Sequence, residues 1–248
     1  MIWQRCNGEQ HIRSLSGTLH RVVESQEQIA TLGYVDTLEE QALLEEMLEA
    51  TKPPCPEAAE AYHYLLKTPF RYPPLKWGSR FGATYEPSIF FGAGKPNTAL
   101  AETAYYRLLF WYSMAAEPIK NTIRSEHTLF SVRYHSERGI RLQDAPFDAF
   151  SKELTHPQNY GDSQRLGRDM RAAGVEMFEY SSARDPLHGF CLGLYSPAAF
   201  KQKEPQNMTQ WLCEVSANEV MFKQVGQTEL VRFERSEFEY HGHLPMPA

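Results

Sequence analysis

The sequence has no surplus of positive charge and no long hydrophobic run. Its 248 residues include 25 Lys and Arg against 31 Asp and Glu, which gives a formal net charge of −6. Proteins that hold a phosphate backbone usually carry a basic surplus, so the composition disfavours direct binding of nucleic acid. The most apolar stretch, residues 99–116, contains Glu102 and Arg107 and predicts a buried helix rather than a membrane span. We therefore expect no membrane contact.

Cysteine is scarce, and its spacing suits neither a disulfide framework nor a zinc site. The chain has four cysteines and no C-x-x-C pair: Cys6, Cys55, Cys191 and Cys213. The first ten residues lack the apolar run of a secretory signal. We therefore expect reduced thiols in a cytoplasmic protein. His241 and His243 lie in a polar C-terminal segment, and no metal site is predicted there.

Three familiar loop motifs are also missing. The sequence Gly92-Ala-Gly94 precedes a predicted helix, but Asn97 stands where a dinucleotide fingerprint needs its third glycine. Lys95 is followed by Pro96 rather than by Ser or Thr, which excludes the phosphate-loop pattern. A turn is favoured, with Asn97 as one candidate cap of the helix and Thr98 as the other. Ser182 has no G-x-S-x-G surroundings, so a hydrolase triad is disfavoured.

Aromatic residues are plentiful, and their distribution is uneven. Of 31 aromatic residues, 14 fall within 62–112, the segment that also holds Arg71, Arg80 and Glu102. Arginine among aromatic rings suits a planar or phosphate-bearing ligand. A carboxylate in an apolar helix is costly unless it is paired or faces a cleft. The segment indicates a core that also walls a ligand pocket, and structural ion pairs are the alternative.

The sequence predicts both helices and short strands. The first sixty-odd residues look helical, with Thr37 and Glu40 forming a capping box and Pro53-Pro54 ending that helix. A second helix is predicted from Pro56 to about Leu66, and another from Asp162 to Ala173. Short strands are predicted at 88–91, 128–135, 175–180, 189–195, 220–222 and 230–233.

Four motifs in chain order resemble the signature of the RES domain family. They are Phe70-Arg71-Tyr72, then Gly78-Ser-Arg80-Phe81, then Phe90-Phe91-Gly-Ala with Thr98-Ala-Leu-Ala-Glu102, and finally Tyr180-Ser-Ser182-Ala-Arg184. The resemblance runs from about Thr68 to Phe200. This family is known chiefly as the toxin half of bacterial RES–Xre toxin–antitoxin pairs.

The resemblance implies an α+β fold with a core like that of the ADP-ribosyltransferases. It implies an N-terminal helical extension over 1–67, a catalytic core over 68–204, and C-terminal strands over 205–248 that belong to the same domain. The implied substrate is NAD⁺, with no separate cofactor. Known members degrade NAD⁺ by hydrolysis or phosphorolysis, or transfer ADP-ribose to a protein.

The resemblance also implies roles for individual residues. The implied catalytic residues are Arg71, Glu102 and Ser182, and the implied substrate-binding residues are Tyr72, Arg80 and Phe91. Glu102 would stabilise the positive charge that develops on the ribose, and Ser182 would bind a ribose hydroxyl or the carboxamide. Phe91 stands where many members have tyrosine.

An Xre-type antitoxin and a second copy of the chain are the expected protein partners. Two alternatives to NAD⁺ cleavage stay open: transfer of ADP-ribose to a protein at the same site, and a non-catalytic protein that binds a partner. The acidic composition disfavours a toxin that cleaves RNA.

Overall fold

A computed structural model describes residues 1–25, 34–116 and 118–246. Its centre is an eight-stranded sheet. The strands are β1 (Arg13–Glu24), β2 (Phe90–Ala93), β3 (Ile123–Arg141), β4 (Met177–Ser181), β5 (Phe190–Leu194), β6 (Gln206–Val215), β7 (Glu219–Gln224) and β8 (Leu230–Glu234). The helices are α1 (Ile2–Arg5), α2 (Leu38–Thr51), α3 (Glu57–Glu60), α4 (Tyr64–Arg71), α5 (Pro96–Ser113), α6 (Ser151–Leu154) and α7 (Gly161–Ala172).

The strand order is β1-β2-β5-β4-β3-β6-β7-β8, and β1 also pairs with β3. Strands β1, β2, β5, β4 and β3 therefore form a closed circuit of hydrogen-bonded neighbours. All pairs are antiparallel except β3–β4, which is parallel. With helices flanking the sheet, the expected α+β class is confirmed. None of the helices in the described ranges is long and apolar enough to cross a lipid bilayer.

The N-terminal segment contains helices, as expected, but it also contributes a strand that the sequence analysis did not predict. Strand β1 pairs with β3 from Arg13 to Glu24. Only Leu15 and Leu19 of β1 are fully buried, and polar residues fill most other positions, so the alternating pattern of a half-buried strand is weak. Residues 26–33 of the predicted extension and 247–248 of the predicted tail lie outside the described part.

Helix α2 begins close to the predicted capping box. The Thr37 hydroxyl accepts the backbone N–H of Glu40 at 3.1 Å. The Glu40 carboxylate accepts from the N–H of Asp36 at 2.9 Å, one residue earlier than the motif predicts. The helix ends at Thr51, just before Pro53-Pro54, because proline cannot donate the next backbone hydrogen bond.

Helix α5 is the buried apolar helix that the sequence predicts. Leu100, Ala104 and Leu108 are fully buried and pack with Val215 and Phe222 of the β6–β7 hairpin. Burial of each leucine side chain contributes about 1.5–3 kcal/mol. Proline at the first turn suits the start of this helix, since its missing N–H would have had no partner there.

The predicted cap of α5 is wrong. Lys95 occupies the N-cap position, and no side chain caps the helix. The Thr98 hydroxyl instead donates to the buried Asp185 carboxylate at 2.7 Å. A tertiary hydrogen bond therefore uses the hydroxyl that the local sequence predicts to cap the helix.

Candidate active site

A cavity of about 480 Å³ opens between α5, the end of α4, strands β1 and β2, and the irregular segment 73–89. This volume lies within the usual range for small-molecule sites. Its charged lining residues are Arg21, Arg80, Glu102 and Arg184. Its aromatic lining residues are Tyr72, Phe91, Tyr106, Tyr160 and Tyr180. The aromatic segment of the sequence therefore does wall a pocket.

Glu102 is held by a hydroxyl whose hydrogen bonds are all satisfied within the protein. The Ser182 hydroxyl donates to Glu102 Oε1 at 2.5 Å and accepts the backbone N–H groups of Arg184 at 3.1 Å and Asp185 at 2.9 Å. A serine hydroxyl has one donor and two acceptor sites, so all three are occupied. Ser182 is 2% exposed and does not line the cavity. Its contacts orient Glu102 and leave no site for a ribose or a carboxamide.

A second donor reaches the same carboxylate oxygen. The Cys191 thiol donates to Glu102 Oε1 with an S···O distance of 3.6 Å. Glu102 Oε2 has no hydrogen-bond partner among the described residues, and Glu102 lines the cavity. One oxygen of the carboxylate is therefore anchored in the wall, and the other is available to a ligand.

The loop that carries Ser182 is fastened to α5 by a buried aspartate. Asp185 accepts the Thr98 hydroxyl at 2.7 Å and the backbone N–H groups of Leu187 and Gly189 at 3.0 and 3.2 Å. A Cβ atom at Gly189 would lie 2.1 Å from the Thr98 hydroxyl and 2.5 Å from the Asp185 carboxylate. Only glycine permits this close approach, which keeps Ser182 within reach of Glu102.

Arg80 and Arg184 are each held by neutral groups. The Arg80 guanidinium lies 4.7 Å from the Tyr160 ring centroid and donates to the carbonyls of Leu154 and His156 at 3.2 and 2.8 Å. The Arg184 guanidinium lies 3.7 Å from the Tyr105 ring centroid and donates to the Pro157 carbonyl at 2.7 Å. Neither arginine forms an ion pair with a carboxylate in the described ranges.

Arg21 is a cavity residue that the sequence analysis missed. It donates to the Phe91 carbonyl and lies over the Phe90 ring at 4.8 Å, and its Nε atom has no partner among the described residues. Burial lowers the pKa of Arg21 to about 10, so the side chain stays positive at neutral pH. In the sequence, Arg21 stands out only as a positive charge within Leu19-His20-Arg21-Val22. This charge becomes informative once the segment is known to be a strand.

These contacts give the cavity a net positive charge. Among the described residues that line the cavity, three are arginines and one is a glutamate, so two positive charges have no counter-ion within this set. A buried cation without a paired anion is unfavourable, and an anionic ligand removes that cost. Guanidinium groups bind phosphate oxygens in a bidentate manner. The arrangement fits a ligand that carries two phosphate charges.

The aromatic side chains that line the cavity add an apolar surface beside these charges. Tyr72 lines the cavity mouth, and the Phe91 ring lies edge-on to Tyr180 with 6.3 Å between centroids. Burial raises the pKa of Tyr180 well above its usual value, so its hydroxyl stays neutral. Stacking of a flat heteroaromatic ring on such a wall contributes about 1 kcal/mol beyond its area burial.

Arg71, the last residue of α4, precedes the cavity residue Tyr72, but its side chain is paired outside the cavity. It does not line the cavity; it donates to the Glu49 carboxylate at 2.5 Å and to the Pro53 carbonyl, both in the segment around the end of α2. Hydrogen bonds from Lys52 and then Arg71 lower the pKa of Glu49 to about 2. Of the six residues, the cavity brings together Tyr72, Arg80, Phe91 and Glu102, with Ser182 directly behind. The catalytic role of Arg71 stays a prediction.

The family-model comparison agrees with the motif resemblance. The family model described as the RES domain matches residues 55–216, nearly two thirds of the chain. No curated protein matches the sequence. Among solved structures, the crystal structure of the M. tuberculosis MbcT–MbcA toxin–antitoxin complex is similar at 11% identity and a TM-score of 0.48, covering 87% of this chain and 92% of that one. The family match contains the four motifs and leaves out β1, and with it Arg21.

Proposed function

This chain belongs to the RES domain family, and on that premise we propose that it is an enzyme that consumes NAD⁺ by hydrolysis or phosphorolysis of the bond between nicotinamide and ribose. The observation that carries the proposal is the cavity with three arginines lacking carboxylate partners and one oriented carboxylate. NAD⁺ carries a pyrophosphate, a flat cationic ring and a ribose between them. These groups match the charges, the aromatic wall and the glutamate of the cavity.

The arginines would bind and orient the substrate. Arg21, Arg80 and Arg184 would hold the pyrophosphate, and their charge would offset its two negative charges. Tyr72 and Phe91 would wall the nicotinamide ring. Fixing both ends of the substrate would hold the ribose beside Glu102, which lowers the entropic part of the barrier.

Glu102 would act on the bond that breaks. The C–N bond breaks, and its electron pair goes to the nicotinamide nitrogen, which becomes neutral. Positive charge develops on the ribose at the same time. The free Oε2 atom of Glu102 would stabilise that charge, and the surrounding apolar helix strengthens the interaction by excluding water. Water or phosphate then forms the new C–O bond and gives up a proton to solvent. Ser182 would be a positioning residue for Glu102.

The products of NAD⁺ turnover test this proposal. We would incubate the purified full chain with NAD⁺ labelled in the adenosine part, with and without phosphate. Free ADP-ribose identifies hydrolysis, and a phosphorylated ADP-ribose formed only with phosphate identifies phosphorolysis. Glu102→Gln is the inactive comparison, and Glu49→Gln, a glutamate outside the cavity, is its matched control.

Two results would contradict the proposal. Label that enters protein bands indicates ADP-ribosyl transfer instead. No turnover together with no NAD⁺ binding by calorimetry favours a non-catalytic protein that binds a partner.

We also propose that the activity makes the protein the toxin of a toxin–antitoxin pair, with an Xre-type antitoxin as its partner. Family membership supports this role. Induced expression of the parent chain in bacteria should lower cellular NAD⁺ and then stop growth, whereas Glu102→Gln should do neither. Growth arrest that persists in the Glu102→Gln strain would contradict it.

A further inference from the structure

Cys191 lies in the cavity wall with its thiol against the carboxylate that we propose to act on NAD⁺. It is 2% exposed and belongs to β5, the strand between β2 and β4. Its backbone is paired on both sides, with Ala93 of β2 and Tyr180 of β4. This pairing fixes the direction of the Cα–Cβ bond, and burial leaves the thiol little room to turn away from Glu102.

The thiol and the Ser182 hydroxyl converge on one atom. Both donate to Glu102 Oε1, at 3.6 and 2.5 Å, and neither forms a hydrogen bond to Oε2. A carboxylate on a flexible glutamate can otherwise rotate and exchange its two oxygens. Two donors from different elements, one on β5 and one after β4, remove that freedom.

We propose that Cys191 is a positioning residue that, together with Ser182, keeps Glu102 Oε2 directed at the substrate. This inference rests on the proposed function. It assigns no covalent chemistry to the sulfur: the thiol keeps its proton and acts only as a donor. Burial, and then the charge of Glu102, raise the pKa of the Cys191 thiol well above its usual value, which agrees with a donor that stays protonated.

The kinetic test separates positioning from packing. Cys191→Ala removes the donor, and we expect kcat for NAD⁺ cleavage to fall about fivefold, the rate equivalent of about 1 kcal/mol for one hydrogen bond. KM should stay unchanged, because the arginines bind the ground state and Glu102 acts on the transition state. Cys191→Ser restores a donor at the same position and should recover kcat to within about twofold of the parent.

Cys213→Ala is the matched control. Cys213 is as buried as Cys191, but it packs in the cluster beneath α5 and does not line the cavity. Its removal should leave kcat and KM unchanged. The proposal is overturned if Cys191→Ala turns over NAD⁺ as fast as the parent, if Cys191→Ser is no better than Cys191→Ala, or if KM changes in step with kcat.

A spectroscopic readout keeps the inference testable even if the chain does not consume NAD⁺. In a chain whose other three cysteines are replaced by alanine, the infrared S–H stretch reports Cys191 alone. A hydrogen bond to a carboxylate lowers that frequency, so Glu102→Ala should shift the band upward. An unshifted band would overturn the positioning role, whereas a shifted band without NAD⁺ turnover would refute only the proposed function.

Discussion

The arginines of the cavity and the arginine at its outer edge differ in whether a carboxylate neutralises their charge. Arg21, Arg80 and Arg184 are held by carbonyls and aromatic rings, so their positive charge is left for a ligand. Arg71 is paired with Glu49, so its charge is already matched within the protein. Arg71, Arg80 and Arg184 all lie in the four motifs, so a motif alone does not separate the arginine that is paired with a carboxylate from those that are not.

The largest effect should come from the one carboxylate in the cavity. Replacing Glu102 by Gln removes its negative charge and keeps its shape. We expect NAD⁺ cleavage to slow by about 100- to 1,000-fold, the usual cost of losing one preorganised electrostatic group. Initial rates at saturating NAD⁺ measure this. A loss below tenfold would mean that Glu102 is not the group that acts on the ribose.

The next effect tests the comparison between arginines directly. Arg21→Gln should raise KM for NAD⁺ by about 10- to 100-fold, since one charge-assisted contact is lost. Arg71→Gln should change KM by less than about twofold, because its charge is already paired with Glu49. If Arg71→Gln proves the more damaging, the catalytic role predicted for Arg71 is favoured and the comparison fails.

A smaller effect concerns the fastening of the Ser182 loop. A Cβ at Gly189 would collide with Thr98 and Asp185, so Gly189→Ala should lower the free energy of unfolding by about 1–3 kcal/mol. Urea denaturation measures this. Gly161→Ala is the control, since the nearest atom to its added Cβ is 3.3 Å away. Equal stability of the two variants would show that the loop yields easily.

The smallest effect concerns the outer edge. The pKa of Glu49 is lower in the folded protein than its ordinary value of 4.5. Its pairing with Lys52 and Arg71 therefore stabilises the fold at pH values above about 4.5. This contribution should disappear as the pH falls from about 4.5 to about 2. The parent should therefore melt slightly above Glu49→Gln at pH 6, and the difference should vanish near pH 2. A difference that persists at pH 2 would contradict the ion pair.

Local patterns predicted the elements whose signals lie within one segment. The start of α2 followed from Thr37 and Glu40, and its end from the two prolines, because capping and the missing N–H are local effects. Helix α7, Gly161–Ala172, agrees with its prediction from Asp162 to Ala173 within one residue. The apolar run predicted α5. Six of the eight strands were predicted at least in part, and alternation indicated the one at 128–135.

Non-local pairing explains the elements that were missed. Strand β1 carries few apolar residues and gains its hydrogen bonds from β3, more than a hundred positions away in the chain. Strand β6 was missed for a related reason: most of its first seven residues are exposed or half-buried. Strand β2 extends to Ala93, beyond the predicted end at Phe91, because Gly92 and Ala93 pair with Leu192 and Cys191 of β5.

The sequence by itself determined the α+β character, the buried helix with its isolated glutamate, and the four ordered motifs that resemble the family. These depend on composition and local spacing. Only the tertiary structure decided three further points. Arg21 lines the cavity, Arg71 is paired with Glu49 outside it, and Ser182 and Cys191 donate to the same oxygen of Glu102. The physical reason is that a side chain's role depends on which charges and donors surround it, and strand pairing and helix packing assemble those neighbours from distant parts of the chain.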